Sequence, residues 1–271
     1  MYAGTTFRKR SGSFVGVHQK IDRIARKQLT NFIGKKEYFP GIQSILHFEG
    51  NNGPDGIKRK SPFIDEPWHH VNPSDPSDRE IFTIIKDHIF NLSKSLAENN
   101  NVRAAFEAAW LAHAVTDGLT PAHHFPLDEK IGELWGDSNE RTSIKDKGLI
   151  KGDGARDTVS KNWEYWGAGG VMTKHLSFEM GVATAIASEN YKYDFMSYED
   201  VIRLNKHGFE KIYMESINKI YALKIYDEFL ETGWTTQMAS KVKTELIPEI
   251  IRMVTMAWLD AVQKTYRGGK L

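Results

Sequence analysis

Cysteine is absent from the chain of 271 residues. Its absence excludes a disulfide framework, a catalytic thiol and thiolate metal ligands, so imidazole and carboxylate groups remain the strong metal ligands. Long apolar runs are also lacking, since no segment approaches the roughly 18 apolar residues that a transmembrane helix needs. The start, MYAGTTFRKRSGSF, has no apolar core of the kind found in signal peptides. We therefore expect neither a membrane span nor a leader within this sequence.

An excess of one charge is likewise missing, because 36 basic residues stand against 35 acidic ones and the formal net charge is +1. Such a balance predicts no global field for a polynucleotide or an anionic membrane. Residues 1–16 are small, polar and basic without periodicity, and they are predicted to form a flexible tail. The cluster Arg8-Lys9-Arg10 in this tail is most simply solvated, with transient contact to a membrane surface as the alternative.

Apolar residues at helical spacing are abundant, and the sustained alternation typical of strands is not found. The periodicity predicts helices over about 17–29, 79–96, 102–117, 173–191, 197–222 and 235–266. Residues 126–172 are rich in glycine and are predicted to form an irregular excursion around short helices, which can serve as a lid. The sequence thus predicts an all-α fold, a single-domain multi-helix bundle over residues 17–271.

Histidines next to carboxylates carry the functional signal. His113 and Asp117 lie four residues apart in an alanine-rich run, so both point to one face of the helix. A buried hydrogen-bonded pair would have the same spacing. Six residues after Asp117, beyond the turn at Pro121, His123 can present a second imidazole to a metal ion. His124 beside it is interpreted as a neighbour rather than a ligand.

A second pair with the same spacing, His175 and Glu179, opens a later helix. With His123 it forms a set of two nitrogens and one oxygen, which leaves a coordination position for water or substrate as in catalytic zinc sites. Groups of the same type lie in the proline-rich loop, at His69 and Asp55, and in the first helix, at His18. Taken alone, a histidine at the start of a helix is more typical of a surface or capping residue.

The run HAVTDGLTPAH, residues 113–123, resembles the core of the zinc-dependent bacterial phospholipases C, which are related to the fungal zinc nucleases that cut single-stranded nucleic acid. It matches that family's pattern H-x-x-x-D-x-x-x-P-x-H at every position. The order of the other groups agrees with the resemblance: His18 in an early helix, then Asp55, a histidine-containing loop, the core and finally H-x-x-x-E. The resemblance covers about residues 18–179 and implies the family's all-α fold.

By this resemblance two zinc ions are expected, and a third lacks one of its family ligands. The ligand sets that it implies are His69, His113, Asp117 and Asp55 for one ion and His123, His175 and Glu179 for a second. Asp117 would bridge to a third ion shared with His18. In the family, the amine and carbonyl of a mature N-terminal tryptophan complete this ion, whereas the chain has no tryptophan before Trp68. The Asp55 position serves as ligand or as general base, with Glu49 as its nearest rival and Asp65 as a weaker one.

The resemblance implies a zinc-dependent phosphodiester hydrolase that uses zinc-activated hydroxide oriented by Asp55. We expect phospholipase C-like action on a phospholipid head group, because the balanced charge offers no extended basic groove and because the last ligand pair is H-x-x-x-E. A nuclease acting on single-stranded nucleic acid is the alternative, and a non-catalytic, zinc-stabilised helical binding protein is the second alternative. The resemblance also implies a secreted protein, and no obligate protein partner is inferred.

Three aromatic residues of the excursion, Trp163, Tyr165 and Trp166, are predicted to form a wall at the substrate. Such a wall receives a quaternary ammonium head group by cation–π contact or a nucleic-acid base by stacking. Aromatic residues that anchor a loop or a core would give the same pattern.

Overall fold

The structure, a computed structural model, describes residues 1–2, 16–60, 69–124, 127–136 and 149–266. Over these ranges the regular secondary structure is helical throughout and contains no strand, which confirms the all-α prediction. None of the described helices combines the length and the apolar character that crossing a membrane requires.

The connections between successive helices range from one or two residues to the longer segments 61–79 and 136–154. The first half contains α1 (Val17–Leu29), α2 (Ile42–His47), α3 (Pro54–Lys60), α4 (Glu80–Ala97), α5 (Asn101–Gly118), α6 (Pro121–His124) and α7 (Leu127–Trp135). The second half contains α8 (Ala155–Trp166), α9 (Val171–Ile186), α10 (Tyr198–His207), α11 (Phe209–Ala222), α12 (Ile225–Thr232), α13 (Thr236–Lys241) and α14 (Ile247–Tyr266).

Helix α5 lies at the centre of the bundle, packed against α4, α14, α2 and α1. Its alanines allow this central position, because their small side chains let neighbouring helices approach closely while the helix propensity stays high. Ala104, Ala108 and Ala112 are fully buried, and Trp258 of α14 donates its indole N–H to the Ala108 carbonyl over 2.9 Å. The helix that carries His113 and Asp117 is therefore held rigidly in the core.

The C-terminal end of α5 is fixed by a close approach at Gly118. A Cβ atom there would lie 2.2 Å from the Tyr213 hydroxyl oxygen and 2.5 Å from Ile81 Cδ1, so only glycine fits. The Tyr213 hydroxyl also donates to the Val115 carbonyl over 3.0 Å. These contacts hold the last turn of α5, and with it Asp117, in one position.

Two segments predicted as continuous helices are interrupted. The segment 197–222 is divided into α10 and α11 at Gly208, whose φ of 75° ends one helix and starts the next. The segment 235–266 contains a π-helical turn, Val242–Leu246, immediately before α14. Pro248 lies in the first turn of α14, where it lacks an N–H and crowds the preceding turn, and a π turn relieves that conflict.

The predicted excursion over 126–172 contains two helices, α7 and α8, in its described parts. Leu134, Ile150 and Tyr165 form a small hydrophobic cluster there, separate from the main core. The role of this excursion as a lid stays a prediction.

Most of the predicted tail, residues 3–15, lies outside the described residues. Its first two residues differ from the expectation, because Met1 and Tyr2 are buried in the main core. The Val17 amide donates to the Tyr2 carbonyl over 2.9 Å, which ties this end of the chain to the start of α1.

Candidate metal centre

Six separate parts of the chain meet at the end of α5. Helix α5 contributes His113 and Asp117, and the short α6 that follows contributes His123. Helices α1, α3 and α9 bring side chains from distant positions, and His69 enters from the loop that precedes α4. The eight residues predicted as metal ligands all belong to groups in which one ligand atom from each member lies within 4.8 Å of the others: His18, Asp55, His69, His113, Asp117, His123, His175 and Glu179.

Asp117 is the shared carboxylate of the first group. Its Oδ2 is 3.1 Å from His113 Nε2 and 3.3 Å from His69 Nδ1. Asp55, at the start of α3, places Oδ1 3.5 Å from the same His113 nitrogen and forms a further group with His113 and His18. The predicted set of Asp55, His69, His113 and Asp117 is thus brought together in space.

The second group contains the ligands that are farthest apart in sequence. Glu179 Oε1 lies 3.2 Å from His175 Nε2, one turn earlier on α9, and 3.3 Å from His123 Nε2 on α6. The described helices α7 and α8 lie between His123 and His175 in the chain, while α9 packs directly on α6. The long sequence gap therefore does not prevent these two histidines from facing one carboxylate.

Met1 joins the two groups in a way that the sequence did not predict. Its α-amino group is 2.7 Å from Asp117 Oδ1 and 3.2 Å from Glu179 Oε1, and its carbonyl oxygen is 2.8 Å from His18 Nε2. These are backbone groups, so they do not depend on the tryptophan of the resembled family. The third ion was doubted because the chain has no N-terminal tryptophan to supply an amine and a carbonyl, whereas the amine and carbonyl of residue 1 lie beside Asp117, Glu179 and His18.

The distances within both groups suit zinc. Two ligand atoms that each lie about 2.1 Å from a tetrahedral zinc ion are about 3.4 Å apart. His113 Nε2 is buried and makes no aligned hydrogen bond with any described residue, although two carboxylates lie 3.1 and 3.5 Å away. A buried imidazole nitrogen at ligand spacing without hydrogen-bond geometry fits a metal ion better than a simple hydrogen-bonded cluster. The residues present can therefore hold metal ions.

The carboxylates of the centre are ionised. Burial opposes their ionisation, but the Met1 ammonium, His113 and His123 hold the pKa of Asp117 well below its usual range. The same ammonium together with His175 keeps the pKa of Glu179 well below its usual range. Buried carboxylates of this kind need positive charge nearby. The ammonium and the histidines provide it here, and bound metal ions could provide it in their place.

The histidines divide into two protonation classes. Burial lowers the pKa of His69 to about 4 and lowers that of His123, so both rings are neutral at pH 7 and ready to bind a metal. At His113 the charges of Asp117 and Asp55 outweigh burial and raise the pKa. Metal binding at His113 would therefore release a proton.

Asp55 and Glu49, the two candidates for the upstream ligand, lie on opposite edges of the His113 ring. Glu49 is fully buried, and its Oε2 lies 3.5 Å from His113 Nδ1, on the ring edge opposite the ligand nitrogen. A carboxylate at that position fixes the tautomer and orientation of a metal-binding histidine. The side chain of Asp55, by contrast, is 38% exposed and faces Nε2. This geometry favours Asp55 over Glu49 as the upstream ligand; Asp65 lies outside the described residues.

Lys58 is a functional candidate that the sequence reasoning missed. It follows Asp55 by three residues on α3, so the two side chains share one face of the helix. Burial lowers the pKa of its ammonium group, while the carboxylates of Asp55, Asp117 and Glu179 act against that shift. The only sequence signal was the spacing of a lysine three residues after a predicted ligand.

Two further histidines border the centre without joining a ligand group of the described residues. The ring of His70 stacks on that of His123 with 4.7 Å between centroids. His124 donates from Nε2 to the Gly118 carbonyl over 2.7 Å, and burial lowers its pKa to about 4. His124 thus braces the turn after α5, in agreement with its interpretation as a neighbour.

Two of the three aromatic residues predicted to form a wall contact each other, since the rings of Tyr165 and Trp166 meet edge to face with 4.7 Å between centroids. Tyr165 is buried and packs edge-on against Trp135, with 5.8 Å between ring centroids. Trp163 and Trp166, on the outer side of α8, are 72% and 43% exposed. Tyr165 therefore anchors the small cluster of the excursion, and binding of substrate by these residues stays a prediction.

Comparison of the chain with protein-family models, with curated proteins and with solved structures found no match. The similarity to the zinc-dependent phospholipases C is thus a resemblance of the sequence motif alone. The conclusion that stands on the structure itself is a buried cluster of histidines and carboxylates able to hold metal ions.

Proposed function

We propose that the protein is a zinc-dependent phosphodiester hydrolase that acts on a phospholipid head group in the manner of a phospholipase C. The observation that carries the proposal is the sharing of His113 between two overlapping ligand groups. Asp117 of one group lies 3.3 Å from His18 of the other, and the Met1 amine lies between Asp117 and Glu179 of the third group. Adjacent cation sites of this kind suit a phosphodiester. Its two free phosphoryl oxygens share one negative charge, and this charge increases in the transition state of hydrolysis. The motif resemblance supports the same reaction class.

Each residue of the centre has a place in this proposal. The ligand groups would hold zinc, which would supply positive charge to the phosphoryl oxygens and lower the pKa of water toward neutral pH. Asp55 is ionised, since His113 lowers its pKa to about 2 against the effect of burial, and its partly exposed carboxylate can orient the attacking water. Where residue 1 carries a free amine, Met1 and His18 with Asp117 add a third site.

Lys58 adds a fixed cation on the same helix face as Asp55. Its ammonium group can pair with a phosphoryl oxygen, which positions the diester for attack opposite the leaving group. In the reaction, water adds to phosphorus, the bond from phosphorus to the alcohol oxygen breaks, and the proton passes to that oxygen. The products are a phosphomonoester and a free alcohol, so no oxidant or further reactant is needed.

Metal removal tests the proposal directly. Chelation is expected to abolish hydrolysis of bis(p-nitrophenyl) phosphate, and zinc added back is expected to restore it, because the cluster needs cations both for substrate and for water. Full activity in the metal-free protein would contradict the proposal. Initial rates on phosphatidylcholine micelles and on single-stranded DNA then decide the substrate, and faster cleavage of DNA would favour the nuclease instead. Zinc binding without hydrolysis of any diester would favour the second alternative, a non-catalytic, zinc-stabilised binding protein.

A further inference from the structure

Helix α8 presents three large apolar side chains to solvent along one face. Val159, Trp163 and Trp166 are 70%, 72% and 43% exposed. Their spacing of four and three residues aligns them as a single stripe, here called the α8 stripe. Of the residues of this helix, only Tyr165 is buried. A helix that exposes two tryptophans on one face and buries a single residue on the other is typical of a surface that binds a partner.

The helix that carries the α8 stripe packs on a helix that carries part of the candidate metal centre. Helix α8 packs on α9, the helix that carries His175 and Glu179. On α9 itself, Leu176, which follows His175 directly, is 44% exposed. A partner bound at the stripe would thus sit on a helix that is one packing contact away from the second ligand group.

The composition of this surface favours a lipid bilayer as the partner. Tryptophan combines a large apolar ring with one N–H donor, and it is enriched where hydrocarbon meets water. The segment 151–176 carries four basic and three acidic residues, namely Lys151, Arg156, Lys161 and Lys174 against Asp153, Asp157 and Glu164. With a slight positive excess it does not repel anionic head groups. A polynucleotide would require a basic groove, which this near-balanced segment does not offer.

We propose that the α8 stripe docks the protein on a phospholipid surface and so delivers the metal centre to its substrate. The substrate part of this inference rests on the proposed function, whereas docking is measured without catalysis. An amphipathic helix of this kind lies in the plane of the membrane, with its aromatic and aliphatic side chains at the boundary of head groups and acyl chains.

Vesicle binding by the full chain tests the inference. The probe is large unilamellar vesicles of equal parts phosphatidylcholine and phosphatidylserine, with binding measured by sedimentation and by the shift of tryptophan emission. Val159→Glu places a carboxylate within the stripe and is expected to weaken binding about tenfold or more. Ile202→Glu on α10 is the matched control, since Ile202 is 66% exposed on a different helix and its replacement is expected to leave binding unchanged.

The outcomes separate docking from catalysis. Val159→Glu is expected to hydrolyse soluble bis(p-nitrophenyl) phosphate at the wild-type rate and vesicle phospholipid more slowly. If neither the wild type nor Val159→Glu hydrolyses the soluble diester, the proposed function is wrong, but the result on vesicle binding remains valid. Absence of vesicle binding by the wild type, equal binding by Val159→Glu, or equal loss in Ile202→Glu would each overturn the inference. Loss of single-stranded DNA binding in Val159→Glu, without vesicle binding by the wild type, would overturn it in favour of nucleic acid.

Discussion

Replacing Asp117 by asparagine is expected to lower diester hydrolysis by more than about 100-fold, since loss of groups even one shell beyond a metal costs 10- to 100-fold. Asp117 contacts the Met1 amine, His18, His69 and His113 within 3.3 Å or less. The amide keeps the size of the side chain but loses the negative charge that ions share. Steady-state kinetics together with the zinc affinity of the variant measure the effect.

Asp260→Asn is the matched control for this exchange. Asp260 is also buried, but it pairs with Lys264 on α14, and no ligand group of the described residues includes it. Its replacement is expected to leave kcat/KM and zinc affinity unchanged. Wild-type activity in a folded Asp117→Asn protein would contradict the assignment of Asp117 as the shared ligand.

Replacing Lys58 by methionine is expected to lower kcat/KM for a diester by about 10- to 100-fold, the cost of a lost hydrogen bond to a charged group. Lys58 shares its helix face with Asp55 and interacts with Asp117 and Glu179 through charge. Methionine keeps the length and apolar stem of the side chain, so zinc content is expected to stay at the wild-type level. Lys58→Arg, which retains the charge, is expected to recover part of the activity.

Lys241→Met provides the comparison for the loss of one charge. Lys241, on α13, pairs with Glu228 over 2.7 Å and lies outside the ligand groups of the described residues. The Lys241→Met variant is expected to hydrolyse the diester with the kinetics of the wild type. If Lys58→Met keeps full kcat/KM, Lys58 does not contact the phosphoryl group, whereas a fall in its zinc content would assign it to support of the metal centre.

The core of the candidate site was accessible from the sequence because it is local. His113 and Asp117 are one turn apart on a helix that alanines make predictable, and Pro121 fixes the turn that returns His123 to the same place. His175 and Glu179 are local in the same sense. What joins the two pairs is the packing of α9 on α6, and spacing alone does not specify such a contact between distant helices.

The missed groups lack any residue-type signal. The Met1 amine and carbonyl are backbone groups, so their position depends on where the chain runs rather than on which side chain it carries. Lys58 is one of 36 basic residues, and only the placement of α3 beside Asp117 distinguishes it. Glu49 was recognised as a nearby carboxylate, but its place behind His113 follows from tertiary packing.

Helices could be predicted from the periodic spacing of apolar residues. Breaks between helices, where the backbone changes direction, were harder to predict. The starts of α1 and α5 follow the apolar pattern, and Asn100 caps α5 by accepting from the Arg103 amide over 3.1 Å. Gly208 lies within a helical pattern that continues on both sides, so the break there depends on a positive φ that composition does not reveal.

The most direct test of the account is the zinc content of the folded chain. The protein is loaded with zinc, passed through a desalting column and measured by elemental analysis, with circular dichroism as a check of the helical fold. The account predicts at least two zinc ions per chain, and a loss of bound zinc in Asp117→Asn but not in Asp260→Asn. Fewer than two zinc ions per chain in the folded wild-type protein would contradict it.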